Sequence, residues 1–169
     1  VTFLVVGGAN TVAQGADYVT RDVDLLPRVD AANLRSLGAA MTDLGARLRI
    51  GGVTDEESKT LPVQLADGSV FARTEISTWR TDAGDVDVML TMTDGEGVRR
   101  PYEHYAERAV SAMAEGVPVF LAHLADVIAS KEHADREKDR VALPALRILL
   151  AQQRATANVA RQDEVADGS

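Results

Sequence analysis

Asp22 and Asp24 are separated only by Val23, in the run Arg21-Asp-Val-Asp-Leu-Leu26. A strand points alternate side chains to opposite faces, so the two carboxylates share one face while Val23 and Leu25 take the other. Neighbouring carboxylates repel unless a cation sits between them, and hard oxygen donors of this kind suit Mg²⁺ or Mn²⁺. Upstream, Gly7-Gly8 closes an apolar run and opens a short helical stretch. Glycines let the backbone approach a ligand closely, and a helix N-terminus offers free N–H groups to an anion. Taken singly, a Gly pair reads as a turn and an Asp-x-Asp as a solvated strand face. Together they predict metal and phosphate chemistry in one crevice.

The elements that must position these groups follow from periodicity. Residues 2–6 read as a buried strand, with no initiating Met before it, which points to a shortened chain or an unusual start, with an upstream helix expected there. Pro27 ends the second strand, and residues 31–44 carry Leu34, Leu37, Met41 and Leu44 at helical spacing. Residues 46–50 read as a strand and 51–60 as a loop. Extended runs at 61–65 and 70–80 flank Asp67-Gly68, a predicted hairpin turn, and Trp79 reads as a packing residue. Residues 81–84 turn into a strand at 85–91 that has Asp85, Asp87 and Met89 on one face; parity alone leaves Asp85 and Asp87 equivalent. Residues 94–97 form another turn, 102–114 a helix, 117–121 a strand, and 123–134 and 136–153 helices, the last bent or interrupted by Pro144. From Ala155 the polar chain predicts a frayed tail.

The order Gly7-Gly8, thirteen residues, then Asp22-Val-Asp-Leu25 resembles the signature of the DNA polymerase beta-like nucleotidyltransferase superfamily. Residues 126–131, Asp-Val-Ile-Ala-Ser-Lys, followed by Arg136-Glu-Lys-Asp139, resemble the helical segment of the branch that includes abortive-infection toxin nucleotidyltransferases. The resemblance spans about residues 3–150. It implies an α/β (α+β) fold: a small mixed β-sheet nucleotidyltransferase core at 1–121, C-terminal helices packed on it at 122–154, and the tail at 155–169. It further implies NTP as substrate, Mg²⁺ or Mn²⁺ as metal, and transfer of an NMP group to an acceptor hydroxyl. Asp22, Asp24 and a third acid would bind metal, and the family's Gly shortly before that acid favours Asp87 over Asp85. Gly7, Gly8 and Asn10 would approach the triphosphate, with Lys131 on the phosphates, Lys138 as its runner-up, and Asp139 orienting the base or sharing acid-base work. Relatives of this branch place an Arg where Tyr18 stands, and Arg21, adjacent to Asp22, cannot simply replace it. A catalytically silent nucleotide- or partner-binding member is therefore the alternative.

Composition bounds the rest. With 169 residues and 46% hydrophobic content, the chain suits one domain with a proper core. It has no cysteine, so disulfides and thiolate metal sites are excluded, and the cytoplasm is the expected location. No apolar run approaches membrane-spanning length. A net charge of -8 argues against a general nucleic-acid coat, yet Arg99-Arg100 with Lys131, Arg136, Lys138 and Arg140 predict a local basic rim. That rim favours RNA or protein as acceptor, and the resemblance to the toxin-type branch implies a toxin–antitoxin or phage-defence setting with a cognate partner protein. His104, His123 and His133 share no ligand spacing, and Ser36, Ser58 and Ser130 have no adjacent base.

Overall fold

The computed structural model describes residues 1–167. In chain order its elements are β1 (Phe3–Val6), α1 (Gly7–Ala13), β2 (Asp22–Pro27), α2 (Ala31–Asp43), β3 (Arg47–Leu48), α3 (Asp55–Ser58), a 3₁₀ turn (Ser69–Arg73), β4 (Ile76–Thr81) and β5 (Gly84–Met89). There follow β6 (Met92–Thr93), β7 (Arg99–Arg100), α4 (Tyr102–Ala106), β8 (Val110–Ala114), β9 (Val117–Leu121), α5 (Leu124–Ala134) and α6 (Glu137–Asp167). One mixed seven-stranded sheet runs β3-β4-β5-β2-β1-β9-β8, and β6-β7 form a separate hairpin. Pairings β1–β9 and β2–β5 are parallel, whereas β1–β2, β3–β4, β4–β5 and β8–β9 are antiparallel.

Alternation along β1 and β2 divides the sheet into two faces. Leu25, Val86 and Val88 join Trp79 and Phe71 beneath the Leu34, Leu37 and Met41 stripe of α2, whose first turn is capped by the Asp30 side chain accepting from the Asn33 N–H. On the opposite face Leu4, Val6 and Leu26 pack with Tyr105, Ala122 and Val127. Further along that same face stand Asp24 and Asp22. Trp79, the only tryptophan, is fully buried, lies with its ring centroid 5.3 Å from that of Phe71, and donates its indole N–H to Ser77 Oγ at 2.8 Å. Trp79→Ala is expected to cost about 3–5 kcal/mol, read as a shift in the urea midpoint followed by circular dichroism. A midpoint within error of the wild type would show that this face does not depend on it.

Four sequence expectations need correction. Residues 102–114 are not one helix: α4 ends at Ala106, and Val110–Ala114 is drawn into the sheet by pairing with β9 across the two-residue Glu115-Gly116 turn, both at positive φ. Asp67-Gly68 does not close a hairpin. Gly68, at φ 72°, opens the 3₁₀ turn and lies so close to α2 that a Cβ there would stand 2.2 Å from the Leu34 carbonyl. The loop at 51–60 contains α3, nucleated by a capping box between Thr54 and Glu57. Finally α6 continues through Pro144 to Asp167, its residues past 154 rich in good helix formers, while 168–169 of the expected tail lie outside the described residues. No helix among the described residues is long and apolar enough to cross a membrane.

Candidate active site

The parallel β2–β5 pair sets Asp22 beside Asp85 and Asp24 beside Asp87. Registered partners point the same way, so four carboxylates occupy two rungs of one face. Their surroundings then separate them. Asp85 is clamped, accepting from Arg49 at 2.9 Å and from Arg80 Nε at 3.0 Å. Asp87 carries a buried Oδ1 with no hydrogen-bond partner, and it joins Asp22 and Asp24 in the wall of a crevice of about 610 Å³. Sequence parity could not distinguish Asp85 from Asp87; the arginines of β4 and the segment after β3 do.

Electrostatics concentrate on Asp24. Burial, then the charges of Asp22 and Asp87, push its carboxyl up to about 6, against the pull of the Gly8 N–H and of the Lys138 ammonium. Burial likewise raises Asp87, with the Thr78 hydroxyl and Arg49 opposing. Asp22 accepts from Thr20 Oγ1 at 3.0 Å. Among the described residues no three acidic or imidazole groups converge into a ready-made ion cage. The donor set nevertheless fits a hard divalent ion: every candidate atom is a carboxylate oxygen, and one of them is buried without a partner.

Gly7 and Gly8 form the floor. Gly7 has φ +61°, and a Cβ on it would lie 1.9 Å from Asp24 Oδ2, so the turn and the acid are built against each other. A Cβ on Gly8 would meet Thr20 Oγ1 at 2.7 Å. Tyr18 lines the crevice, and its hydroxyl hydrogen-bonds the Thr11 hydroxyl and the Gly8 carbonyl. Arg21 also lines it, despite its neighbour Asp22, because β2 begins only at Asp22 and strand alternation does not reach back to residue 21.

Across the crevice stand residues from α5, the short connection after it and the start of α6. Leu124 and Ile128 pack on Leu143 and Leu146, which brings Lys131, Arg136, Lys138 and Asp139 opposite the acids. Asp139 is fully buried and accepts from Lys131 Nζ at 3.1 Å and Arg136 Nε at 2.6 Å. Burial pushes its carboxyl up, and the two cations more than offset this, leaving it below the usual carboxylate range. Lys138 and Arg21 line the crevice with no ion-pair partner among the described residues.

Two expectations fail here. Asn10 does not face the crevice: it is fully buried, its Nδ2 donates to the carbonyls of Val5 and Ala122 at 2.8 and 2.9 Å, and its Oδ1 accepts from Gln14. It ties the ends of β1 and β9 together. Arg99, Arg100 and Arg140 do not line the crevice either; they pair with Glu75, Asp94 and Asp135. Thr20, two residues before Asp22, is a contributor that spacing alone did not single out: its hydroxyl donates to Asp22 Oδ1 at 3.0 Å and it lines the crevice.

No protein-family model matches the chain, and no curated protein matches its sequence. In three dimensions it is similar to the solved structure of a lincosamide antibiotic adenylyltransferase, LnuA, with lincomycin bound. The TM-score is 0.53 over 88% of this chain and 87% of that one, at 14% sequence identity. A likeness at that identity establishes the fold: a mixed α/β sheet with packed helices, of the nucleotidyltransferase type.

Proposed function

We propose that this chain, on its nucleotidyltransferase fold, moves a nucleoside monophosphate from an NTP to an acceptor hydroxyl with Mg²⁺ or Mn²⁺ as its metal. The observation that carries the reading is the set Asp22, Asp24 and Asp87 on adjacent parallel strands, facing a crevice whose other wall bears Lys131, Arg136 and Lys138. A divalent ion held by those three acids would supply charge neutralisation for the triphosphate and for the in-line displacement. The acceptor oxygen bonds to the α-phosphorus as the bond from that phosphorus to the bridging oxygen breaks, and pyrophosphate leaves. The acceptor proton passes to Asp87, whose buried carboxyl is raised and therefore a better base. Lys131 and the unpaired Lys138 bind phosphates as point charges, and Asp139 keeps Lys131 and Arg136 in position. Gly7 and Gly8 hold Asp24 at the floor.

The acceptor we favour is an RNA or a protein rather than the small antibiotic bound by LnuA, since Arg21 and Lys138 bring unpaired positive charge to the crevice. Toxin–antitoxin or phage-defence context and a cognate partner protein rest on the motif resemblance alone, and a cytoplasmic location on the lack of cysteine. Labelled NTPs with Mg²⁺ or Mn²⁺ and candidate acceptors should give label transfer that Asp22→Asn abolishes; transfer unchanged in that variant overturns the assignment. A second reading, a silent nucleotide-binding member, is favoured by Tyr18, which occupies the family's Arg position and engages the Gly8 carbonyl. Calorimetric binding of NTP with Mg²⁺, without pyrophosphate release on any acceptor, would select it.

A further inference from the structure

The two edges of the seven-stranded sheet are unlike. At one, β3 is two residues long, begins with Arg47, which pairs with Asp82, and runs into Arg49. Short length and charge are what keep a strand edge from pairing with another chain. At the other, β8 offers five residues, Val110-Ser-Ala-Met-Ala114, without a charge or a proline, and among the described residues only β9 hydrogen-bonds to it. The surface around this undefended edge is apolar. Met113 and Phe120 are 67% and 52% exposed, and they share a face because Ser111 is registered with Phe120 and Met113 with Pro118. Val110 and Val117 are exposed on the other face. An open edge combined with an apolar patch marks a surface built to be covered.

We propose that β8 pairs antiparallel with β8 of a second copy of this chain, about a twofold axis at Ala112, so that two sheets join into one. The strand's own sequence selects this occupant and this register. A twofold axis normal to the sheet keeps every side chain on its own face, and centring it on Ala112 is what pairs all five residues: 110 with 114, 111 with 113, and 112 with itself. Each bulky residue then meets a small one, Val110 against Ala114 and Met113 against Ser111. Over the small Ser111 of the second copy, Met113 reaches toward that copy's Phe120, the next residue in the row, giving a thioether–ring contact twice over. Charge agrees at the ends. Glu115, exposed and with no ion-pair partner among the described residues, falls opposite Ala109 of the second copy, beside the exposed Arg108. The four apolar side chains and the strand backbones of both copies bury on the order of 1,000 Å², which suits a reversible dimer with a dissociation constant on the order of 10 µM. The edge lies three strands from β2, and the inference is independent of the transferase reading.

Sedimentation velocity of the full chain from about 1 to 300 µM, a span that brackets that constant, should show a closed monomer–dimer equilibrium. Amide exchange along residues 110–114 should slow as the dimer forms. Two double variants carry the specificity test, both at exposed positions: Ser111→Glu with Met113→Glu, and Ser111→Lys with Met113→Lys. Alone, each sets like charges opposite one another twice across the axis and should weaken the dimer about tenfold or more. Mixed in equal amounts, the two should pair with each other, which also shows that both are folded. A wild type that stays monomeric throughout overturns the proposal and leaves the edge to a strand of another protein. Growth past the dimer, a dimer that either variant keeps at wild-type strength, or a mixture of two folded variants that does not pair also overturns it.

Discussion

In Asp24→Asn, nucleotidyl transfer is expected to fall by about three orders of magnitude, the several kcal/mol that a correctly held ion supplies, while the protein in EDTA becomes more stable at pH 7. The two effects share one cause. Asp24 is pressed between burial, Asp22 and Asp87, and its folded carboxyl titrates near 6 instead of the ordinary 3.8. A carboxyl raised on folding binds its proton more readily in the native state. Its ionisation therefore costs nothing below about pH 4, grows costly as pH rises toward 6, and is fully destabilising above that. Two units correspond to roughly 3 kcal/mol, which the amide avoids while its oxygen still accepts from the Gly8 N–H. Denaturant midpoints of both proteins in EDTA at pH 4 and pH 7 would measure it: a difference at pH 7 that vanishes at pH 4. A variant less stable than wild type at pH 7 would show that Asp24 is held by compensating contacts and not strained by its neighbours.

Gly7→Ala should disable the site through a single added methyl group. The backbone there sits at φ +61°, and the new Cβ would fall 1.9 Å from Asp24 Oδ2 with the Asp24 Cγ at 2.5 Å. Positive φ strain and the forced displacement of the acid together are expected to cost about 3 kcal/mol and to remove transfer activity even in molecules that remain folded. Gly51→Ala is the matched control, because nothing lies within 4 Å of its added Cβ and its φ is ordinary. It should be neutral or stabilise by about 0.5 kcal/mol. Thermal midpoints and label transfer for the pair decide the matter; equal midpoints would mean that the glycine turn relaxes without Asp24.

What could be read from the sequence was whatever depends on a short period. The i, i+2 spacing of Asp22 and Asp24 fixes a shared face on any strand, and Leu34, Leu37 and Met41 point one way on any helix; all three apolar residues are buried. The Gly pair ahead of the acids was legible for the same reason, as a local backbone requirement. Residues 102–114 were misread because Val-Ser-Ala-Met-Ala at 110–114 has no polar alternation and holds good helix formers, and only its pairing with β9 makes it an edge strand.

The sequence by itself thus determined that two carboxylates would stand together near a glycine turn on a small mixed sheet. Which acid joins them was decided in three dimensions: Asp85 and Asp87 share a face, and it is Arg49 and Arg80, 36 and 5 residues away, that occupy one and leave the other's Oδ1 unpartnered. Asn10 was lost to the site in the same way, through a hydrogen bond to Ala122 that lies 112 residues along the chain. A buried polar group goes wherever its hydrogen bonds can be satisfied, and partners that distant leave no trace in local spacing.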